Sequence, residues 1–165
     1  MLTMNRDKVG DWTVDSEKIR KIFPEYFSNF ELPDAAVEQE ICVYRACPTR
    51  KIEKASFLNT YEENGFQVPV GLSTDNPQVY CMSTYFRLKD VRRFVVADSR
   101  FQPPFLLAKG HTTKHDGLSC KTSDWKADRG SHVDWWLYVD AKPWLAFEET
   151  TYEHEKEQAG LSGSK

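Results

Sequence analysis

The stretch SHVDWWLYVD, residues 131–140, has the most regular strand pattern in the chain and decides the fold that we expect. Successive side chains of a strand point to opposite faces of the sheet. One face carries only apolar residues and is expected to be core: Val133, Trp135, Leu137 and Val139. The opposite face combines polar and aromatic residues, so it is expected either to bind a ligand or partner or to be packed under a polar network. It carries His132, Asp134, Trp136 and Tyr138.

Chain length and charge restrict the class of protein. The 165 residues, with 40% hydrophobic content, are enough for one folded domain. A formal net charge of −3 gives no electrostatic basis for bulk nucleic-acid binding. No apolar run reaches the roughly 20 residues of a membrane span, and no apolar signal-peptide core is visible, so we expect a cytoplasmic protein. The cysteines fit no zinc motif and are expected to be reduced: Cys42, Cys47, Cys81 and Cys120.

The first half of the chain predicts helices. Asp15 or Ser16 can cap a helix that continues to Phe30, with apolar residues at helical spacing, and Pro24 is expected to kink it or divide it into two shorter helices. Further helices are expected over 33–40 and 51–64, and a short one over 88–91.

Strand patterns begin at residue 41 and dominate the second half of the chain. Beside the central strand, strands are expected over 41–47, 78–84, 93–97, 105–113 and 118–122, with a last apolar piece over 143–149. Asp116-Gly117 predicts a hairpin between the strands 105–113 and 118–122. We therefore expect an α+β domain over residues 1–152, with N-terminal helices packed on a mostly antiparallel sheet of about five or six strands. Residues 153–165 are expected to form a charged, flexible tail.

The predicted hairpin places histidine and cysteine side chains on one face. Imidazole, thiolate and carboxylate groups are zinc ligands, so a metal site is one interpretation. Its ligands would be His111, His115, Cys120, His132 and Asp134. A second interpretation is hydrolytic, with Cys120 or Ser131 as nucleophile, His111 or His132 as base and Asp134 as the orienting carboxylate.

Two short motifs carry a resemblance to a known family. Val43-Tyr44-Arg45 on an early strand, followed by Tyr80-Cys81-Met82-Ser83-Thr84 on another, resembles the arginine and serine-threonine motifs of ADP-ribosyltransferases and related NAD-degrading toxins. The resemblance implies that Arg45 binds the NAD pyrophosphate through its guanidinium, that Ser83 or Thr84 supports the nicotinamide-ribose pocket and that Tyr80 lines it. Glu148 and Glu149 would be the candidates for the catalytic carboxylate that these families require.

A non-catalytic binding function is the interpretation that we favour from the sequence. Aromatic residues are concentrated in the second half of the chain, and exposed Trp and Tyr clusters are typical anchors of interfaces. They include Trp125, Trp135, Trp136, Tyr138, Trp144 and Tyr152. We expect a protein or small ligand to bind through this aromatic surface, with His132, Asp134, Trp136 and Tyr138 as contact residues. NAD consumption and metal binding are the alternatives.

Overall fold

A computed structural model describes residues 21–97 and 105–163 of the chain. They contain one six-stranded sheet in which every paired neighbour is antiparallel, in the order β4-β5-β2-β1-β3-β6. The strands are β1 (Cys42–Cys47), β2 (Met82–Tyr85), β3 (Leu106–His111), β4 (Gly117–Lys121), β5 (His132–Leu137) and β6 (Phe147–Thr150). The predicted α+β class with an antiparallel sheet of five or six strands is confirmed.

Three α-helices accompany the sheet in the described ranges. They are α1 (Thr60–Glu63), α2 (Leu88–Ala97) and α3 (Tyr152–Gly163). Shorter 3₁₀ turns lie at Glu25–Asn29, Lys54–Ser56, Pro77–Tyr80, Thr122–Asp124 and Pro143–Ala146. None of the helices in the described part is long and apolar enough to cross a bilayer.

Strand β5 has apolar cores on both of its faces. Val133 and Trp135 pack with Met82 of β2 and Phe147 of β6 on the face that the sequence assigned to the core. On the opposite face Trp136 is also fully buried, in a second cluster. The other buried members of that cluster are Phe27, Val79, Tyr80, Cys81 and Cys120. The alternation within β5 is therefore as predicted, but the sheet is covered on both sides. Val139 was also expected in the core, which is wrong, because it lies beyond the end of β5 and is 47% exposed.

The predicted hairpin between β3 and β4 is wrong. β4 pairs with β5, and β3 lies between β1 and β6 on the other side of the sheet. Gly117 has a different reason to be glycine, because a Cβ at this position would lie 1.9 Å from the backbone oxygen of Trp136. The Asp116-Gly117 pair thus marks a close approach of two backbones instead of a hairpin turn.

Several predicted helices are shorter than expected or absent. The first one begins at residues 15 or 16, outside the described residues, and its described end is only the 3₁₀ turn Glu25–Asn29. The segment 33–40 is not a helix, because the Val37 backbone bonds to Ser119 at the edge of β4. The segment 51–64 contains only the turn Lys54–Ser56 and α1. The strand predicted over 93–97 is wrong, since these residues continue α2.

The segment expected to be a flexible tail forms helix α3 as far as residue 163. Glu155 anchors this helix, since it is buried and its Oε1 accepts hydrogen bonds from Tyr44 Oη at 2.7 Å and Lys109 Nζ at 2.9 Å. Its Oε2 accepts from Thr150 Oγ1 at 2.7 Å. The sequence did not indicate this helix because two of these partners, Tyr44 on β1 and Lys109 on β3, are far away in sequence.

Candidate functional site

An open cleft of about 240 Å³ lies beside the end of β5. Its aromatic walls come from three parts of the chain: Tyr26 from the first 3₁₀ turn, Phe57 from the segment before α1, and Tyr138 and Trp144 from the segment after β5. Aliphatic side chains such as Leu137 and Val139 complete the lining. Apolar walls with a few polar groups at the mouth are typical of small-molecule sites.

Local hydrogen bonds hold the first wall of the cleft in place. Asn59 caps α1, with its Oδ1 accepting from Glu62 N at 2.8 Å, and Glu62 Oε1 accepts from Asn59 N at 3.1 Å. This reciprocal capping box satisfies two backbone N–H groups that a helix start otherwise leaves free. Asn59 Nδ2 also donates to Tyr26 Oη at 2.9 Å, so the helix cap positions an aromatic wall of the cleft.

Two side chains of opposite charge, Lys54 and Glu62, line the cleft. Lys54 lines it and is exposed, and its ammonium has no ion-pair or hydrogen-bond partner among the described residues. The carboxylate of Glu62, which also lines the cleft, accepts the capping bond from Asn59 N. Burial raises the pKa of Tyr26 to about 12 and also raises that of Tyr138, so both phenols stay neutral near pH 7. Lys54 therefore offers a free ammonium at this site, while the carboxylate of Glu62 is held at the start of α1 by the capping bond.

The rim of the cleft exposes apolar surface. Val139 is 47% exposed and Leu145, next to Trp144, is 75% exposed. Val139 N donates to the backbone oxygen of Ile22, which is itself 53% exposed. These side chains extend the apolar lining outward from the mouth of the cleft.

The predicted contact residues of β5 are mostly buried. Asp134 and Trp136 are fully buried and Tyr138 is 6% exposed, so the expected contact surface is wrong for Asp134 and Trp136. Tyr138 alone among the four predicted contact residues lines the cleft. His132 is partly exposed, but its Nδ1 faces Asp134 Oδ1 at 2.9 Å. Because Trp135 is buried as well, these rings do not form a flat exposed patch in the described part of the chain.

Asp134 is the centre of a buried polar network. Besides His132, its two oxygens accept hydrogen bonds from Gln78 Nε2 at 3.1 Å, Thr122 Oγ1 at 3.0 Å and Trp125 Nε1 at 2.7 Å. Burial works against the charged form, but these hydrogen bonds and the neighbouring His132 outweigh it and hold the pKa of Asp134 below its usual value. The face of β5 that the sequence left open is therefore packed under a polar network.

The residues of the NAD-enzyme resemblance come together in part. Arg45 Nη1 donates to Ser83 O at 2.8 Å, and Arg45 Nη2 lies 2.9 Å from Glu63 Oε1. Arg45 is only 7% exposed, and its Nε donates to Ser56 O at 3.0 Å, so all three guanidinium nitrogens donate to protein oxygens. Neither Arg45 nor Ser83 lines the cleft described above.

Of the other residues of the resemblance, Thr84 lies on the strand next to Arg45, whereas Tyr80, Glu148 and Glu149 lie elsewhere. Tyr80 is fully buried, stacks on Phe30 at 4.6 Å between ring centroids and donates to Thr74 O. Thr84 is also buried and donates to Val133 O at 3.1 Å. Glu148 and Glu149 are exposed on β6, which is separated from β1 by β3. The carboxylate next to Arg45 is thus Glu63, which the sequence reasoning did not select.

The metal interpretation finds no supporting geometry in the described residues, and the hydrolytic interpretation finds only the contact between His132 and Asp134. Across residues 21–97 and 105–163, no three His, Cys, Asp or Glu side chains are placed to hold a metal ion. Burial raises the pKa of Cys120 to about 12, which keeps this proposed nucleophile protonated. The Ser131 hydroxyl is fully buried and accepts a hydrogen bond from Arg87 N.

Comparisons with known proteins add no relative. No family model, curated protein or solved structure matches the chain.

The sequence did not predict the cleft. Of its lining residues, only Tyr138, a predicted contact residue, and Trp144, a member of the aromatic cluster, had been selected. Its walls come from positions near 24, 54–62 and 137–144, which no local pattern connects. One signal was present, because Asn59-Thr60-Tyr61-Glu62 has the spacing of a capping box and marks the start of α1.

Proposed function

We propose that the protein is a binding module whose cleft takes up a small molecule with a flat apolar body and an anionic group. The observation that carries this proposal is the combination of four aromatic walls with the unpartnered Lys54. Planar apolar ligands gain from burial against aromatic rings, and an anion at the mouth would pair with the ammonium. This proposal keeps the predicted binding function but moves its site to the cleft beside the end of β5.

Calorimetric titration with a matched pair of ligands tests this proposal. 2-Naphthoate has an anionic group, and 2-naphthamide has the same ring system without charge. We expect 2-naphthoate to bind more tightly, because only its carboxylate can pair with Lys54. The proposal is overturned if the two compounds bind equally or if neither binds.

Two lysine variants separate the contribution of Lys54 from the general charge of the surface. Lys54→Gln should weaken 2-naphthoate binding up to about fivefold, the range expected for an exposed ion pair, and leave 2-naphthamide unchanged. Lys51→Gln is the control, because Lys51 is exposed and nearby in sequence but does not line the cleft. Equal effects of the two substitutions would contradict the role given to Lys54.

Consumption of NAD is a second candidate function, favoured by the contacts of Arg45 with Ser83 O and Glu63. Glu63 is 44% exposed, so its carboxylate can move away from Arg45 and free Nη2 to bind one phosphate oxygen. In this proposal Glu63 takes the role of the carboxylate that the resembling families require.

Nicotinamide release from NAD, followed by chromatography with and without cell lysate, tests the second candidate. Glu63→Gln should abolish the release, whereas Glu148→Gln and Glu149→Gln should leave it unchanged. The opposite pattern would return the carboxylate role to β6. Absence of release from the unmodified protein in both mixtures would refute this candidate function.

A further inference from the structure

The four cysteines of the chain have very different surroundings. Cys47, Cys81 and Cys120 are fully buried, whereas Cys42 is exposed at the start of β1. Burial raises the pKa of Cys47 to about 11 and that of Cys120 to about 12, and raises that of Cys81 as well. A thiol must lose its proton to act as a nucleophile, so these three are inert in the folded protein. Cys42 is the accessible thiol.

The sheet register gives Cys42 an imidazole neighbour. Cys42 lies directly opposite His111 in the β1–β3 ladder, and His111 is also exposed. Residues directly opposite in an antiparallel pair project from the same face, with Cβ atoms about 5 Å apart. The two side chains are not hydrogen-bonded in the structure, and from this separation a change of side-chain rotamer brings the imidazole to the thiol.

The hydrogen bond of His111 determines which ring nitrogen is basic. Its Nδ1 lies 3.3 Å from the backbone oxygen of Thr112. A carbonyl oxygen only accepts, so Nδ1 carries the proton and Nε2 has the free lone pair. Nucleophile, base and a third group that orients the base are the three components of an activated thiol.

The polar and charged neighbours of Cys42 and His111 on this face of the sheet have partners of their own. Tyr44 and Lys109 are opposite each other two positions further along the ladder, and both donate to Glu155. Glu148 lies opposite Lys109 on β6. The hydroxyl and ammonium groups nearest along the strands are therefore already engaged.

We propose that Cys42 and His111 form a reactive thiol–imidazole pair, and that Cys42 is a site of reversible S-thiolation by low-molecular-weight disulfides. His111 Nε2 takes the proton of the Cys42 thiol, and the thiolate attacks one sulfur of the disulfide. The disulfide bond of the reagent breaks as the mixed disulfide forms, and the leaving thiolate takes up the proton from the imidazolium. The Cys42 sulfur is thereby oxidised from the thiol to the disulfide level, and one sulfur of the reagent is reduced from the disulfide to the thiol level, so no other oxidant is needed.

Incubation of the full chain with glutathione disulfide at pH 7, followed by intact-mass and peptide mass spectrometry, tests this proposal. We expect one glutathione adduct, located at Cys42 and removed by dithiothreitol. His111→Gln should slow its formation roughly tenfold, because the base is lost. His115→Gln is the matched control, since His115 is an exposed histidine without a cysteine opposite it, and should leave the rate unchanged.

Cys42→Ser supplies an independent check, because it should abolish the adduct in a protein whose circular dichroism is unchanged. An adduct on Cys47, Cys81 or Cys120 in the folded protein, or no adduct at all, would overturn the proposal. An unchanged rate in His111→Gln would overturn it as well, because Cys42 would then react without the help of the imidazole.

Discussion

Glu155→Gln is the substitution whose effect on stability can be worked out most directly. Burial alone would raise the pKa of Glu155, but hydrogen bonds from Lys109, Tyr44 and Thr150 outweigh it and lower the pKa from 4.5 to about 2. That difference corresponds to about 3 kcal/mol of folding free energy carried by the ionised form. Gln keeps an acceptor oxygen but loses the charge, so the variant should lose most of this amount at pH 7.

The pH dependence of this loss follows from the sign of the pKa shift. Because the pKa of Glu155 is lower in the folded than in the unfolded chain, the unfolded state binds more protons between pH 4.5 and about 2. The contribution of Glu155 is therefore complete above pH 4.5 and is lost as the pH falls toward 2. The stability difference between the unmodified protein and Glu155→Gln should shrink over the same interval.

Urea denaturation between pH 7 and pH 2.5, followed by circular dichroism, measures this difference. Glu157→Gln is the control, since Glu157 is exposed on the same helix and the substitution removes the same charge. A difference that stays constant with pH would refute the reasoning. It would also be refuted if Glu155→Gln cost no more than Glu157→Gln.

Two further substitutions test the packing around β5. Gly117→Ala should destabilise the fold by about 2 kcal/mol or more in urea denaturation, because its Cβ would lie 1.9 Å from the Trp136 oxygen. Gly160→Ala is the control, because Gly160 lies in a helix and the added Cβ would have no atom within 4 Å. This substitution should be neutral or stabilising. Equal effects of Gly117→Ala and Gly160→Ala on stability would contradict the role given to Gly117. Asp134→Asn should lower the free energy of unfolding by about 3 kcal/mol, because the buried donors around Asp134 lose their charged acceptor. Asp124→Asn is the control, since Asp124 is exposed, and should have little effect in the same thermal or urea denaturation assay.

The sequence predicted those parts of the fold that local patterns determine. The alternation in 131–140 identified β5, and the apolar run 41–47 identified β1, since a strand side chain is constrained by its own position along the chain. The same reasoning failed for the Asp116-Gly117 hairpin. Gly117 is required by the backbone of Trp136, which is a contact distant in sequence.

Long-range contacts also explain the other misplaced elements. The segment 33–40 has a helix-like start at Pro33-Asp34, but two backbone hydrogen bonds between Val37 and Ser119 hold it against β4. Glu155 becomes an anchor only because Tyr44, 111 positions away, donates to it. Partners of this kind leave no periodic trace in the sequence.

The candidate site was the least predictable part. Tyr26, Lys54 and Trp144 come from three separated segments, and only the folded sheet brings them to one cleft. Asp134 and Trp136 were chosen as contact residues because their face of β5 is mixed in polarity. A mixed face can equally be buried when each polar group has a partner, as the four side chains that donate to Asp134 at 2.7–3.1 Å demonstrate.

Amide shift mapping by ¹H–¹⁵N NMR during titration with 2-naphthoate tests the proposed cleft most directly. We predict that the shifts concentrate at 54–62 and 137–144, with the indole N–H of Trp144 among the largest, and that Trp144→Ala removes them while Leu145→Ala does not. Shifts confined to other parts of the chain, or no saturable shifts, would contradict the assignment of the cleft as the binding site.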